Sequence, residues 1–115
     1  MELDAAIEGL SALAHRGRLA AFRLLVEAGP DGLPAGEIAR AFETPANTMS
    51  TQLAILSRAR LIRSRRESRS IIYSADYGEI SALIGFLMRD CCQRRPEVCE
   101  PLMAAACLPP TPETA

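Results

Sequence analysis

The stretch TPANTMSTQLAIL, residues 44–56, gives the clearest indication of the fold of this 115-residue chain. Thr44 is a good N-cap residue and Pro45 suits the first helical position, so a helix is predicted to begin here. Apolar residues recur at helical spacing over three turns, at Met49, Leu53 and Leu56. The same turns carry short polar side chains that both donate and accept hydrogen bonds, namely Asn47, Thr48, Ser50, Thr51 and Gln52.

Three further helices are predicted before this one. The first has an apolar repeat at helical spacing, formed by Leu3, Ile7, Leu10 and Leu13. The second has a repeat of Leu19, Phe22, Leu25 and Val26, and the turn residues GPDG at 29–32 end it. A short third helix is expected from Pro34 to Phe42, because proline in the first turn of a helix loses no hydrogen bond.

A hairpin and a last helix are predicted after it. Two β-prone segments, residues 61–65 and 70–74, surround a polar corner at Glu67-Ser68. Asp76 followed by Glu79 has the form of a capping box, which begins a long helix. One face of that helix carries Ile80, Leu83, Ile84, Leu87, Met88 and Cys91. The predicted fold is therefore mainly α, with a small β-hairpin wing.

The net charge of −1 conceals a strongly basic segment. Residues 57–70 carry six Arg and one Glu and sum to +5. Residues 1–56 have four Arg against seven acidic residues, and residues 71–115 have three against six, so each flank sums to −3. A local basic patch is the electrostatic feature that matters for DNA, and here it coincides with the predicted hairpin.

A short helix, a turn, a polar helix and an arginine-rich hairpin form the layout of a winged helix-turn-helix. The second helix of that motif enters the major groove, where Gln52 would suit a bidentate contact with adenine. The wing arginines would contact phosphates or the minor groove. A polar helix face or an arginine run alone is usually just solvated surface, but the combination in this order indicates binding of double-stranded DNA.

The composition is that of a single helical domain. Hydrophobic residues make up 49% of the chain, aromatic residues 4%, and Trp is absent, which favours packed helices over a sandwich. No apolar run approaches a membrane span and the start of the chain resembles no signal peptide, so a cytoplasmic protein without a membrane partner is expected. One domain is predicted over residues 1–107, followed by a disordered Pro-rich tail, 108–115.

Several segments resemble the ArsR family of bacterial metalloregulatory repressors: ALAHRGRL at 12–19, LPAGEI at 33–38, NTMSTQLAIL at 47–56, and Arg69-x-x-x-Tyr73. The resemblance covers residues 3–92 and implies a homodimer whose first and last helices form the interface. The apolar stripe of residues 80–91 would then pack against the partner, although burial within one protomer also explains it. Matching positions imply DNA contacts by Asn47, Thr48, Ser50 and Gln52, with wing contacts by Arg65, Arg66 and Arg69.

Two positions depart from the family pattern. Gln52 stands where the family commonly has His, which changes the expected operator preference. Arg60 stands where it commonly has Gly, just after the polar helix. If the backbone there is left-handed, Arg costs about 1 kcal/mol that Gly would not, while it adds a cation near the phosphates.

All four cysteines, Cys91, Cys92, Cys99 and Cys107, lie in the last quarter of the chain. Adjacent residues of a helix point ~100° apart, so Cys91 and Cys92 cannot both bind one ion from a regular helix. Pro96 disfavours helix at the residue before it, so the helix is expected to fray there, which can bring Cys91, Cys92 and Cys99 together. Three thiolates suit a soft ion such as As(III) or Sb(III), whereas Zn²⁺ requires a fourth ligand. Cys107 is a less favoured fourth ligand because it follows along a Pro-rich segment.

The segment DCCQRRPEVC, residues 90–99, also resembles the C-terminal arsenic motif of one ArsR branch. This resemblance implies a metalloid-binding segment over about residues 90–107 with Cys91, Cys92 and Cys99 as ligands, and a repressor that leaves its operator when arsenite or antimonite binds. The family's other known site, a Cys-x-Cys pair in the helix before the polar helix, is absent because residues 34–60 contain no Cys.

Other interpretations of the cysteines stay open. They include buried structural thiols, a site for another soft metal, and a thiol-redox or persulfide sensor, since adjacent Arg94 and Arg95 favour thiolates. A cysteine nucleophile, as in an arsenate reductase, is disfavoured because no phosphate-binding Gly-rich loop adjoins the pair, so no enzyme is predicted. A purely structural dimer module would not need the arginine-rich wing.

Overall fold

The computed structural model describes residues 1–88. Its elements are helices α1 (Leu3–Leu13), α2 (Arg16–Ala28), α3 (Ala35–Ala41), α4 (Ala46–Arg58) and α5 (Tyr77–Met88), and strands β1 (Leu33–Pro34), β2 (Ile62–Glu67) and β3 (Ser70–Ala75). The chain divides into two compact units, Met1–Leu83 and Ile84–Ala115, and the described residues of the second continue α5. This architecture confirms the predicted winged helix-turn-helix.

Helix α1 forms where predicted, but its larger apolar residues face outward. Its buried residues are Ala6, Gly9 and Ala12, whose small size allows neighbouring elements to approach closely. The fractional exposures of Leu3, Ile7 and Leu10 are 63%, 53% and 42%. The core is built instead on other elements, and its largest fully buried side chains are Leu25, Ile38, Leu53, Leu56 and Leu61.

The sheet contains a strand that the sequence analysis did not predict. Its three antiparallel strands lie in the order β1-β3-β2, with Leu33 opposite Tyr73 and Pro34 opposite Ile72. Pro34 is therefore the N-cap of α3, in an extended conformation, and not a residue of its first turn. A two-residue strand has no periodicity of its own to detect, and proline is tolerated because β1 lies at the sheet edge.

Helix α4 begins one residue later than predicted. Pro45 is its N-cap, with an extended backbone (φ −57°, ψ 146°), and Ala46 is its first residue. Thr44 is therefore not the N-cap: its hydroxyl donates to the carbonyl of Phe42, 3.2 Å away. The apolar stripe is confirmed, because Met49, Leu53 and Leu56 are the buried residues of this helix.

The hairpin pairs β2 with β3 from Ile62 opposite Ala75 to Glu67 opposite Ser70. The connecting turn is consequently Ser68-Arg69, one residue beyond the predicted corner, with Ser68 at φ 57°. Asp76 caps α5 as expected, since its Oδ1 accepts a hydrogen bond from the Glu79 N–H at 3.0 Å. The reciprocal half of the capping box is not formed, because the N–H of Asp76 donates to Leu61 instead.

Within residues 1–88, none of the helices has the length and apolar character needed to cross a membrane. The predicted metalloid-binding segment of about residues 90–107, all four cysteines and the predicted Pro-rich tail lie outside the described residues. The part of the chain that the structure describes holds no group of three His, Cys, Asp or Glu side chains arranged for a metal ion.

Candidate nucleic-acid interface

Helix α4 presents a polar face on the side away from its buried stripe. Asn47, Thr48, Ser50 and Thr51 are exposed, and Gln52 is half-buried. Because successive residues are ~100° apart around the axis, Asn47 and Thr51 lie one turn apart on the face opposite Met49. Gln52 lies at the flank of this face, and its surroundings differ from those of the other four.

Two of the exposed side chains are partly engaged by the helix itself. Asn47 Oδ1 accepts a hydrogen bond from the Thr48 N–H at 2.8 Å, and the Thr51 hydroxyl donates to the Asn47 carbonyl at 3.1 Å. The Nδ2 donors of Asn47 and the acceptor lone pairs of Thr51 therefore remain available. The Ser50 hydroxyl makes no hydrogen bond within residues 1–88, so this face offers both donors and acceptors to a ligand.

Gln52 is held by Arg18, a residue that the sequence analysis did not assign to the site. Arg18 Nη1 donates to Gln52 Oε1 at 3.2 Å, and Arg18 Nε donates to the carbonyl oxygen of Ala12 at 2.6 Å. One guanidinium therefore joins the C-terminal turn of α1 to the middle of α4. No local pattern reveals this contact, because Arg18 and Gln52 are 34 residues apart.

The only histidine of the chain, His15, fixes the backbone beneath Arg18. His15 is the N-cap of α2, and its Nδ1 accepts hydrogen bonds from the N–H groups of Gly17 at 3.1 Å and Arg18 at 3.2 Å. Histidine is not among the preferred N-cap residues, which is why its role is not apparent from the sequence. The cap uses the lone pair of Nδ1, so the imidazole acts here as an acceptor.

The wing arginines differ in how far the protein itself engages them. Arg65 forms an ion pair with Glu67 through Nε at 2.9 Å, and its Nη2 donates to the carbonyl oxygen of Asp31 at 2.9 Å. Arg63 pairs more loosely with Asp76, at 3.6 Å. Arg65 thus links the wing to the α2–β1 turn, and fewer of its donors remain for DNA.

Arg66 and Arg69, in contrast, are exposed and make no hydrogen bond or ion pair within residues 1–88. Arg66 pairs with Ile71 across the strands, on the opposite face of the hairpin from Arg65, and Arg69 lies in the Ser68-Arg69 turn. Arg58, at the C-terminal end of α4, is equally exposed and unengaged in this part of the chain. Arginines of this kind are suited to phosphate groups, which they bind by charge and by forked hydrogen bonds.

The left-handed position just after α4 is also observed. Arg60 has φ 69°, and its side chain is exposed. The family pattern, in which Gly is common at this position, predicts this left-handed conformation. A cation is therefore retained at the junction between α4 and β2, at the expense of backbone strain.

The comparisons with known proteins agree with this geometry. Residues 13–65 match a family model described as a helix-turn-helix domain. The transcriptional activator HlyU of Vibrio cholerae is 31% identical over 84 residues, which cover 73% of this chain and 75% of that protein.

Two solved structures extend the likeness to the fold. Reduced HlyU from Vibrio cholerae has a TM-score of 0.61 at 29% identity and covers 75% of this chain and 87% of its own. A homodimeric winged helix-turn-helix DNA-binding domain from Mycobacterium bovis, described as a possible ArsR-family transcriptional regulator, has a TM-score of 0.61 at 25% identity. That likeness covers 81% of this chain and 86% of the domain.

Proposed function

This chain belongs to the ArsR family of winged helix-turn-helix transcriptional regulators, and on that premise we propose that it is a cytoplasmic repressor that binds operator DNA as a homodimer. The observation that carries the proposal is the exposed polar face of α4, bearing Asn47, Ser50 and Thr51, together with the unengaged arginines of the adjacent hairpin. The helix would read base edges in the major groove, and Arg66 and Arg69 would bind the phosphate backbone.

Dimerisation is supported by the outward row of Leu3, Ile7 and Leu10 on α1, which is spaced to lie along one side of a helix. Large apolar side chains in a contiguous row indicate an interaction surface. The similar Mycobacterium bovis domain is homodimeric, so a second copy of this chain is the proposed occupant. The last helix, with half-buried Ile80 on its apolar stripe, would complete the interface, whereas Leu83 of the same stripe is buried within one protomer.

For the signal, we propose As(III) or Sb(III), bound by the thiolates of Cys91, Cys92 and Cys99. The support is the sequence DCCQRRPEVC and the preference of such ions for three sulfur ligands. Binding would rearrange the end of the last helix and so change the spacing of the two α4 helices in the dimer. Release from DNA requires the ion to favour the DNA-incompetent state, with a coupling free energy of about 1–3 kcal/mol.

A thiol-redox or persulfide sensor is the second candidate. It is favoured by the similarity to a structure of HlyU in a reduced form and by the adjacent pair Cys91-Cys92. In this case oxidation or persulfidation of the thiols, rather than a metalloid, would shift the protein away from DNA.

The two candidates are separated by one release experiment on the full chain. A duplex selected from a randomised library serves as the operator, and fluorescence anisotropy follows release on adding arsenite, antimonite, hydrogen peroxide or polysulfide. Release by the metalloids alone supports the proposal. Release by peroxide or polysulfide without metalloid, reversed by a reductant, supports the redox sensor instead. A chain that selects no duplex sequence at all contradicts both.

A further inference from the structure

The guanidinium of Arg18 occupies the junction of three helices. Its Nε binds the Ala12 carbonyl, which belongs to the last turn of α1 and has no partner within that helix. Its own N–H is held by the His15 cap of α2, and its Nη1 reaches Gln52 of α4. Arg18 is half-buried, so its position is set by the protein and not by solvent.

The chemistry of this contact fixes the orientation of the Gln52 side chain. A guanidinium has five donors and no acceptor, so the amide of Gln52 must turn its Oε1 toward Arg18. The Nε2 group, with two N–H donors, then points away from Arg18. Within residues 1–88 this Nε2 makes no hydrogen bond, so both of its donors are available, whereas Oε1 is turned toward Arg18 and has one lone pair engaged there.

We infer that Arg18 is a positioning residue that determines base preference: it holds Gln52 by its acceptor atom, so that Gln52 presents only donors to DNA. The inference rests on the proposed function. It also revises the expected adenine contact, because a bidentate contact with adenine requires Oε1 and Nε2 to face the same base edge.

A group that only donates is matched by guanine. In the major groove guanine presents two adjacent acceptors, O6 and N7, whereas adenine presents one acceptor beside an N6 donor. The Nε2 donors of Gln52 therefore favour guanine at the base pair that they contact. Release of Gln52 from Arg18 frees Oε1 and restores the ability to bind adenine.

The test uses the full chain and selection from duplexes with a randomised central region. Comparison of wild type with Gln52→Ala identifies the base pair that depends on Gln52. At that base pair the wild type is expected to select guanine over adenine by about fivefold or more, the discrimination of a good base contact. Arg18→Met, which removes the donors but keeps an extended apolar stem, is expected to abolish this preference or reverse it toward adenine.

A matched control is Arg23→Met, at an exposed position on the same helix, which should select the same sequences as wild type. Gln52→Glu provides an independent variant that keeps an acceptor for Arg18. Because a carboxylate only accepts, its preference at the same base pair should change from guanine to cytosine, whose N4 group donates. The base preference of Gln52→Glu still tests the inference if circular dichroism shows that Arg18→Met does not fold.

The inference is overturned if the wild type selects adenine at the Gln52-dependent base pair, or if Arg18→Met folds and leaves guanine preferred. It is equally overturned if Gln52→Ala alters no position, since Gln52 then reads no base. These outcomes leave the proposed function intact, because a defined sequence is still selected. Selection of no sequence by the wild type contradicts the proposed function itself.

Discussion

Arg60 adopts a left-handed backbone conformation, φ 69°, that L-amino acids other than Asn and Asp rarely adopt. The strain for an L-residue is roughly 1–2 kcal/mol, and glycine avoids it while losing more chain entropy on folding. We therefore expect Arg60→Gly to raise the free energy of unfolding by about 0.5 kcal/mol or more. Urea denaturation followed by circular dichroism measures this change.

The control for that variant is Arg58→Gly, at the last residue of α4. Arg58 has an ordinary helical backbone, so glycine there should lower the free energy of unfolding by up to about 1 kcal/mol. An equal decrease in the free energy of unfolding in Arg60→Gly and Arg58→Gly would show that Arg60 carries no backbone strain.

The sequence predicts which residues of α4 are polar and exposed, but not how they are engaged. Asn47, Ser50 and Thr51 follow from helical periodicity, since they fall away from the apolar stripe. The contacts of Gln52 with Arg18 and of Arg65 with Asp31 each span 34 residues. They depend on how the helices and the wing pack, and no local pattern encodes that packing.

At the scale of elements, the turn between α2 and β1 depends on two glycines that differ in their surroundings. Both have positive φ, 86° at Gly29 and 73° at Gly32. A Cβ at Gly32 would overlap the carbonyl oxygen of Tyr73, whereas a Cβ at Gly29 would meet no atom within 4 Å.

We expect Gly32→Ala to destabilise the protein by about 2–4 kcal/mol, because it adds a steric clash with β3 to the backbone strain. Gly29→Ala introduces backbone strain without a clash, at φ 86° and ψ −176°, a region that essentially only glycine adopts, and should cost about 1–3 kcal/mol. Thermal and urea unfolding of both variants provide the comparison. A Gly32→Ala variant no less stable than Gly29→Ala would contradict the close packing of the turn on β3.

The predicted helices and strands match the observed ones, except where contacts between distant residues determine whether an element forms or where it begins. The helices and the hairpin can be predicted because each has a pattern of several apolar or β-prone residues, and such a pattern is more informative than any single residue. Strand β1 exists only because Leu33 and Pro34 pair with β3, and the start of α4 depends on the backbone of Pro45. In α1 the apolar repeat indicates a helix correctly, but burial of Ala6, Gly9 and Ala12 depends on close approach of other elements.

At the scale of the whole molecule, the charge distribution predicts a salt-dependent affinity for DNA. Arg66 and Arg69 are exposed and without a partner in residues 1–88, so they are expected to displace counterions from phosphates. The double variant Arg66→Gln/Arg69→Gln should make the plot of log K against log[salt] less steep by about 0.9 for each phosphate contact removed. Anisotropy titrations at several salt concentrations measure the slope.

Arg23→Gln is the matched control for the salt dependence, because it removes one exposed charge from α2 instead of the wing. It should leave the slope unchanged. A double wing variant with the slope of wild type would show that the hairpin does not contact phosphates.

The oligomeric state gives a second prediction at this scale. Ile7 is 53% exposed on α1, so Ile7→Glu removes little from the core of one protomer but introduces a charge into the proposed dimer interface. We expect a folded protein that sediments as a monomer and binds the operator at least about tenfold more weakly, because two linked half-sites bind more tightly than one.

Val26→Glu is the control for the interface variant, since Val26 is 39% exposed on α2 and outside the apolar row of α1. Sedimentation velocity should find this variant dimeric, like wild type. A dimeric Ile7→Glu protein would contradict an interface built on α1.

In the proposed switch, cysteine thiolates after residue 88 control DNA binding by the α4 helices, and an arsenite titration of the protein–operator complex is its decisive test. Wild type and Cys99→Ser are compared by anisotropy under reducing conditions, with free thiols counted in parallel. We expect both proteins to bind the operator equally well without arsenite. Arsenite should release the wild type, with loss of three free thiols per protomer, whereas Cys99→Ser should stay bound. Full release of Cys99→Ser, or no release of the wild type, would contradict the three-thiolate switch.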